Sequence, residues 1–424
     1  MIGFAGMTHL GINSAAATAA RGFQVLGYDS DAELIGRLQK HDLPLKEPEL
    51  DDYFRDNRAR LSFTSDADAL AACDVVYISA DVSTDDDAQS DLTPITALIE
   101  RVAPRLKPDA VLVILCQVPP GFTRSLTALS HDRLVYQVET LIFGRAVERA
   151  MYPERFIVGV ADPKRPLPAA YRELLEAFQC PILPMRYESA ELAKISINVW
   201  LVASVSAANM MAELSEAIGA DWMEIVPSLK LDKRIGPYAY LAPGLGISGG
   251  NLERDLRTIT KIGGAKGTDT GIVDAWFGNS RHRKDWLWRC LHGKVLRDKP
   301  DARIAVLGLA YKENTNSIKN SPSLRLLSHL EGHKHLKVHD PVVAGAQVTS
   351  AEVAATAIDC ARGADALVIA TAWPEYKTLA LAELASVMAG RVLIDPYRLI
   401  DKDEAAAAGF TWYGLGFPLP GGLV

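Results

Sequence analysis

Short apolar runs recur along the first part of the chain, at 2–5, 23–28, 74–79, 110–115, 134–138 and 156–160. Near-continuous apolar strands belong to sheets covered on both faces. The small-residue stretch 12–21 and the segment 169–178 read as covering helices. The texture changes near Met185. From 188 to 217 neither Gly nor Pro intervenes, which predicts one helix of about 30 residues, long for a globular domain. Small and apolar residues (Ala203, Val205, Ala207, Ala208, Met210, Met211) occupy nearly every face of it, so burial nearly all round is expected. Packing against its twin in a homodimer would provide that burial. Helical segments continue to about 229, and a polar helical region at 274–296 carries Trp276, Trp286 and Trp288, read as packing groups. A second set of strands opens at 303–310 and continues in runs ending at Asp340-Pro341, Thr371-Ala372-Trp373 and Asp395, with Ser321-Pro322-Ser323 as a helix start.

The repeated strand–helix alternation predicts an α/β protein with two Rossmann-like domains joined by a long central helix in a helical dimerisation domain. The expected boundaries are 1–186, 187–298 and 299–424. At 424 residues, with 23% charged and 49% hydrophobic positions, the balance is that of a soluble globular protein. A formal net charge of −7 with no dense basic run argues against a nucleic-acid partner. Five scattered cysteines without a CxxC pair argue against a disulfide framework or a zinc site. The N-terminus lacks the positive leader of a signal peptide, and no segment is read as approaching a membrane span, so a cytoplasmic protein is expected.

Candidate chemistry begins at the first turn. Ile2-Gly3-Phe4-Ala5 leads into Gly6-Met7-Thr8-His9-Leu10-Gly11, a helical stretch, a second strand and then Asp29. This is a dinucleotide-binding βαβ unit: the helix N-terminus receives a pyrophosphate and Asp29 accepts ribose hydroxyls. An acid there favours NAD, because it repels a 2′-phosphate. Thr8 stands at the middle glycine of G-x-G-x-x-G, placing a Cβ where backbone normally approaches the pyrophosphate and offering a hydroxyl to it. Cys116-Gln117-Val118-Pro119-Pro120-Gly121 follows a strand, at the edge where open α/β sheets bind ligands. Glu139 also ends a strand and is a candidate active-site acid, although taken alone the position fits an exposed surface glutamate. Asp85-Asp86-Asp87 reads as a solvated loop, and no metal site is expected. Lys194 and Asn198 are four apart on the long helix and project from one face, able to reach one substrate oxygen or equally to be solvated. The Gly-rich stretch Pro243-Gly244-Leu245-Gly246-Ile247-Ser248-Gly249-Gly250 allows close backbone approach to a ligand and delivers Asn251 and Asp255.

In combination and order, these segments resemble the UDP-glucose/GDP-mannose dehydrogenase family over essentially the whole chain. Val118-Pro119-Pro120-Gly121 matches its S-T-V-P-P-G loop, Glu139 its N-P-E glutamate, and Ala190-Glu191-Leu192-Ala193-Lys194 with Asn198 its A-E-L-x-K-x-x-x-N helix. Arg234-Ile235-Gly236 is similar to its R-I-G segment, and Gly308-Leu309-Ala310-Tyr311-Lys312 through Ser321-Pro322 to its C-terminal nucleotide-binding signature. The resemblance implies catalytic roles for Glu139, Lys194, Asn198, Asn251 and Asp255. It implies cofactor contacts from Gly6, Thr8, Leu10, Gly11, Asp29 and Gln117. It implies substrate contacts from Leu141, Lys194, Asn198, Arg234, Leu245, Gly246, Gly250, Lys312 and Lys319, with NAD as cofactor and a UDP-hexose as substrate.

Family members oxidise the sugar alcohol twice, holding the aldehyde as a thiohemiacetal on the cysteine of G-G-x-C-x-P-x-D. Here that string is Gly249-Gly250-Asn251-Leu252-Glu253-Arg254-Asp255, which keeps the aspartate but replaces cysteine by Asn251 and proline by Glu253. An amide nitrogen is not a nucleophile at neutral pH, so the covalent route has no atom to use. Cys116 lies on the cofactor-side loop and is not expected to substitute. Gln117 replaces a threonine, and Lys319 an arginine, losing a bidentate fork. The expected activity is therefore an NAD-dependent oxidation of a nucleotide-sugar CH–OH group without a covalent step. The alternatives are a catalytically degenerate nucleotide-sugar-binding protein, or a relative of the β-hydroxyacid dehydrogenases, which use a similar Lys-x-x-x-Asn helix.

Overall fold

The computed structural model describes residues 1–82, 90–247, 251–343, 348 and 350–419, in two compact units, Met1–Ile197 and Asn198–Val424. The acidic stretch Asp85-Asp86-Asp87 and the loop residues Ser248, Gly249 and Gly250 lie outside the described residues.

In the first unit the apolar runs become strands β1 (Ile2–Ala5), β2 (Val25–Tyr28), β4 (Val75–Ile78), β5 (Val111–Ile114), β6 (Leu134–Gln137) and β7 (Phe156–Val160), while β3 (Leu61–Thr64) and β8 (Ile182–Arg186) are edge strands that no such run marked. They form one sheet in the order β3-β2-β1-β4-β5-β6-β7-β8, parallel throughout except between β6 and β7. Side chains alternate across it. Phe4, Val75, Tyr77, Val111, Val113 and Val135 fill one core, while Val76, Ile78, Leu112, Ile114, Leu134 and Tyr136 fill the other. That is why the six inner strands read as continuous apolar runs: neither of their faces meets water, whereas the edge strands β3 and β8 carry exposed positions. Helix His9–Ala20 buries Ala15, Ala16, Ala17 and Ala19, whose small side chains let it lie close to its neighbours. The chain turns to one side after β1 and to the other after β4, so a crevice opens at the carboxyl ends of these two strands.

The predicted long helix runs over Tyr187–Ile218, 32 residues, and the division between the units falls within it. Within one chain the helix is not buried all round. Trp200 (73% exposed), Met210 (57%), Leu214 (48%) and Ile218 (68%) form an apolar stripe that the single chain leaves in solvent. Small residues on several faces hid this asymmetry. The expectation that no segment approaches a membrane span is also corrected: by length and a mean hydropathy of 1.5 over its most apolar window, this helix qualifies. The same length and composition fit a core or interface helix.

In the second unit the helix packs Val202 with Leu256, Val273 and Phe277, and Ala208 and Ala212 with Trp222 and Val226. Trp286 is fully buried and donates from Nε1 to Glu216 Oε2 at 3.1 Å, in line with a packing role. Strands β9 (Ile304–Leu307), β10 (Leu336–His339), β11 (Glu352–Val353), β12 (Ala366–Ile369), β13 (Val392–Ile394) and β14 (Thr411–Tyr413) form an all-parallel sheet in the order β11-β10-β9-β12-β13-β14. Its reversal lies between β9 and β12, repeating the β1/β4 arrangement.

Candidate active site

The dinucleotide turn sits at the first crevice. Gly6 adopts φ +98°, and a Cβ at Gly11 would fall 2.0 Å from the Gly6 carbonyl oxygen, so only glycine fits there. Ile12 is the first helical amide to find its carbonyl, donating to Thr8 O at 3.0 Å, which leaves the amides of the first turn directed out of the helix, the geometry that receives a phosphate. Asp29, at the end of β2, accepts from Met7 N at 2.8 Å and from Asp31 N at 3.0 Å. A carboxylate has about four lone-pair sites, so it retains capacity for ribose hydroxyls. Leu10 is buried beside the turn. The residues present therefore fit a dinucleotide. Thr8 is used differently from the expectation: its hydroxyl donates to Ser79 O (3.2 Å) and accepts from Asp81 N (3.0 Å). With its only proton on Ser79 O, it bridges the loops after β1 and β4 instead of donating to a phosphate.

Two buried glutamates that the sequence reading did not assign hold the neighbouring loops. Glu191, on the long helix, accepts from Gly121 N (2.6 Å) and Thr123 N (2.8 Å), fixing the Val118-Pro119-Pro120-Gly121 loop that follows Gln117. Its burial raises its pKa against the opposing pull of these amides. Glu47 accepts from His9 Nε2 and Gly144 N, and the His9 ring lies 4.2 Å from that of Phe143. The glutamate of the A-E-L-x-K string was a visible signal for the first; nothing local marks the second.

Glu139 is not a surface glutamate. Its Oε1 is buried and has no hydrogen-bond partner among the described residues. Burial pushes its pKa up to about 7, against the opposing pull of Lys194 and Arg149, while Asp81 adds to the rise. It shares a cavity wall with Gln137, Leu141 and Arg149. Leu141 also packs on the apolar core beneath. A carboxyl poised near neutrality can exchange protons at physiological pH. Cys116 cannot act as a thiolate nucleophile: it is fully buried, its Sγ is bonded to Ile78 O, and burial pushes the thiol up to about 12.

In the second unit, Asn198 Nδ2 donates to Asp255 Oδ2 at 2.5 Å. Asp255 is almost wholly buried, with Arg254 Nε 3.5 Å away. The direct amide contact stands where the sequence suggested only co-location. Asn251 opens helix Asn251–Lys266 and is exposed, one turn ahead of Asp255 on the same side. Glu253 accepts from Asn320 Nδ2 at 3.0 Å. The glycine loop is fastened by its backbone: Gly244 N donates to the buried Asn209, and Ile247 N to Ser280 Oγ. Leu245 is buried in the core, and Gly246 (φ +82°) passes so close to helix Gly271–Lys284 that a Cβ would meet Ser280 O at 2.6 Å. Gly250 lies outside the described residues. Arg234 is exposed and paired with Asp232 at 2.6 Å. Lys312 Nζ lies over the Tyr311 ring at 5.7 Å, and Lys319 is exposed. Asp340 resembles Asp29 in position, yet its carboxylate takes Leu309 N, Ala310 N, Val342 N, Val343 N and Trp373 Nε1. It is saturated by the fold.

Comparison with known proteins completes the picture. Three models of the UDP-glucose/GDP-mannose dehydrogenase family match the chain: the NAD binding domain over residues 1–179, the central domain over 188–278 and the UDP binding domain over 305–402. The chain is 30% identical to a UDP-glucose 6-dehydrogenase of Pseudomonas aeruginosa, over 98% of this chain and 97% of that one. The structure of a UDP-glucose dehydrogenase from Pyrobaculum islandicum matches with a TM-score of 0.83 at 25% identity, covering 98% of this chain and 97% of the other. A UDP-D-ManNAc dehydrogenase from Pyrococcus horikoshii matches with a TM-score of 0.83 at 24% identity, covering 98% and 99%, a likeness of fold.

Proposed function

The chain belongs to the UDP-glucose/GDP-mannose dehydrogenase family, and from that premise we propose that it oxidises a CH–OH group of a UDP-hexose without forming a covalent bond to the sugar. The observation that carries this reading is Asn251: the nucleophile's position holds an exposed amide at the start of a helix. None of the five cysteines falls in this loop, and Cys180, the half-exposed one, has its thiol pushed up mainly by burial. Cys73, Cys116, Cys290 and Cys360 are buried with raised pKa values, burial being the main cause in each.

NAD, held by the Gly6–Gly11 turn, the helix amides and Asp29, supplies the hydride acceptor when bound. The remaining work falls to the chain. Lys194 donates to the sugar oxygen and stabilises negative charge on it as its proton leaves. Asp255, oriented by the Asn198 amide, accepts that proton through water. Asn251 only hydrogen-bonds the oxidised oxygen, so the carbonyl product is held without a thiohemiacetal. Glu139 exchanges a proton near neutrality. The exposed stripe of the long helix packs against its twin in a homodimer, covering Trp200, Met210, Leu214 and Ile218.

The test is to incubate the purified protein with a panel of UDP- and GDP-sugars and NAD, follow NADH, and weigh the product. Loss of two hydrogens reports one oxidation, and replacement of two hydrogens by oxygen reports a carboxylate. Tight UDP-sugar binding with no turnover of any sugar would instead favour a degenerate binding protein. The diverted Thr8 hydroxyl is the feature that points that way.

A further inference from the structure

We propose that Glu47 is a positioning residue that couples the cofactor turn to the loop carrying Glu139, through the imidazole of His9. The inference rests on the reading of Glu139 as an active-site carboxyl. Glu47 lies outside every motif named above, in the stretch between the second and third strands of the first sheet. Its side chain is 2% exposed and receives three hydrogen bonds. His9 Nε2 stands 2.8 Å from Oε1, Gly144 N donates to the same oxygen at 2.9 Å, and Ala146 N donates to Oε2 at 3.2 Å.

Each partner has a reason to need it. Helix Ala146–Met151 begins at Arg145, whose side chain makes no cap, so Glu47 supplies the missing acceptor from about a hundred residues away in sequence. Gly144 and Ala146 end the segment that starts at Glu139, and fixing them fixes where that segment returns. His9 is the first residue of helix His9–Ala20, inside the dinucleotide turn, and its ring also lies against Phe143 of the same segment. One carboxylate thus joins the turn that sets the cofactor's place to the segment that sets the buried carboxyl's place. Its burial makes the joint stiff, because a carboxylate removed from water is costly unless all its partners stay in position. Glu191 secures the neighbouring Gly121–Thr123 backbone in the same manner, but makes no bond to the dinucleotide turn.

The measurement pairs two variants with two readouts. Glu47→Gln keeps the volume and sets an amide NH2 against the Ala146 N–H; His9→Phe keeps the ring on Phe143 and removes the bond to Glu47. Hydrogen exchange of the protein without substrate should rise by roughly tenfold in both 6–11 and 140–147 for Glu47→Gln. In turnover, kcat should fall by roughly tenfold or more in each variant, while the dissociation constant for NAD moves less than about threefold, since the turn's own amides remain. The double variant should be no slower than the worse single one. Exchange confined to 144–147, or kcat within about twofold of the parent in His9→Phe, would overturn the coupling. A chain inactive on all sugars whose Glu47→Gln form still loosens both segments would sink the enzyme reading and leave the coupling standing.

Discussion

Replacing Glu139 by glutamine keeps the side chain's shape and removes a charge that the fold holds at a disadvantage. The carboxyl's pKa rises from 4.5 to about 7 on burial, with its Oε1 unpartnered. A difference of that size corresponds to about 3 kcal/mol at full ionisation. The sign follows from linkage. Below about pH 4.5 both states hold the proton and the group contributes nothing to pH dependence. Between about pH 4.5 and 7 the unfolded chain ionises first, so wild-type stability declines; above about 7 the penalty is complete. Glu139→Gln lacks this decline. At pH 8 the variant should unfold roughly 5–10 °C above the parent, for a unit of this size, with the gap closing towards pH 4.5. Its kcat/KM should meanwhile fall by about 10²–10⁴, and the parent's rate should change across neutrality where the variant's does not. Thermal unfolding across this pH range, with steady-state rates on the same samples, measures both. A variant less stable than the parent at pH 8, or a gap that does not vary with pH, would refute the burial argument.

Other substitutions address the second unit and the thiols. Asn251→Cys places a thiol at an exposed helix start, where the dipole favours the thiolate; it should be alkylated quickly by iodoacetamide and shift product towards the carboxylate by mass. In the native protein, alkylation should reach only Cys180, the thiol that is half-exposed, with Cys73, Cys116, Cys290 and Cys360 unmodified until denaturant is added. Asp255→Asn removes the carboxylate that accepts the proton and that Asn198 orients, and should lower kcat by roughly 10–100-fold with UDP-sugar affinity little changed. Trp200→Glu on the exposed stripe should halve the mass measured by light scattering, and an unchanged mass would remove that face from the homodimer.

The scaffold was largely legible because its signals are local. Strands buried on both faces read as apolar runs, the first turn demands glycine at Gly11, and the absence of Gly and Pro between 188 and 217 foretold the long helix. What sequence concealed depends on distant partners. Asp29 and Asp340 both end a second strand, yet one keeps capacity for a ligand and the other is filled by five donors. Glu139 is a candidate active-site acid by its place at a strand end and by resemblance, but its surroundings could not be read locally, because they are created by packing far from it in the chain. Glu47 was invisible, since its partners lie 38, 97 and 99 residues away. Thr8 was visible as a departure, but the direction of its proton was set by Ser79 across the crevice.

These acids also bear on the proposed chemistry without a thiol. A scaffold that only binds nucleotide sugars gains nothing from a Glu139 carboxyl whose buried Oε1 has no hydrogen-bond partner among the described residues, and replacing it by a neutral residue would stabilise the fold at neutral pH. Asp255 is buried too, and its charge needs the Asn198 amide to remain tolerable. Burial of a titratable group against its solvation cost recurs at sites where the charge is used. The Asn251 position, by contrast, is exposed and free of such strain. On the proposed reading, the groups that are costly to bury are the ones assigned to proton transfer, and the position assigned to bond formation holds an exposed amide, the distribution that oxidation without covalent capture requires.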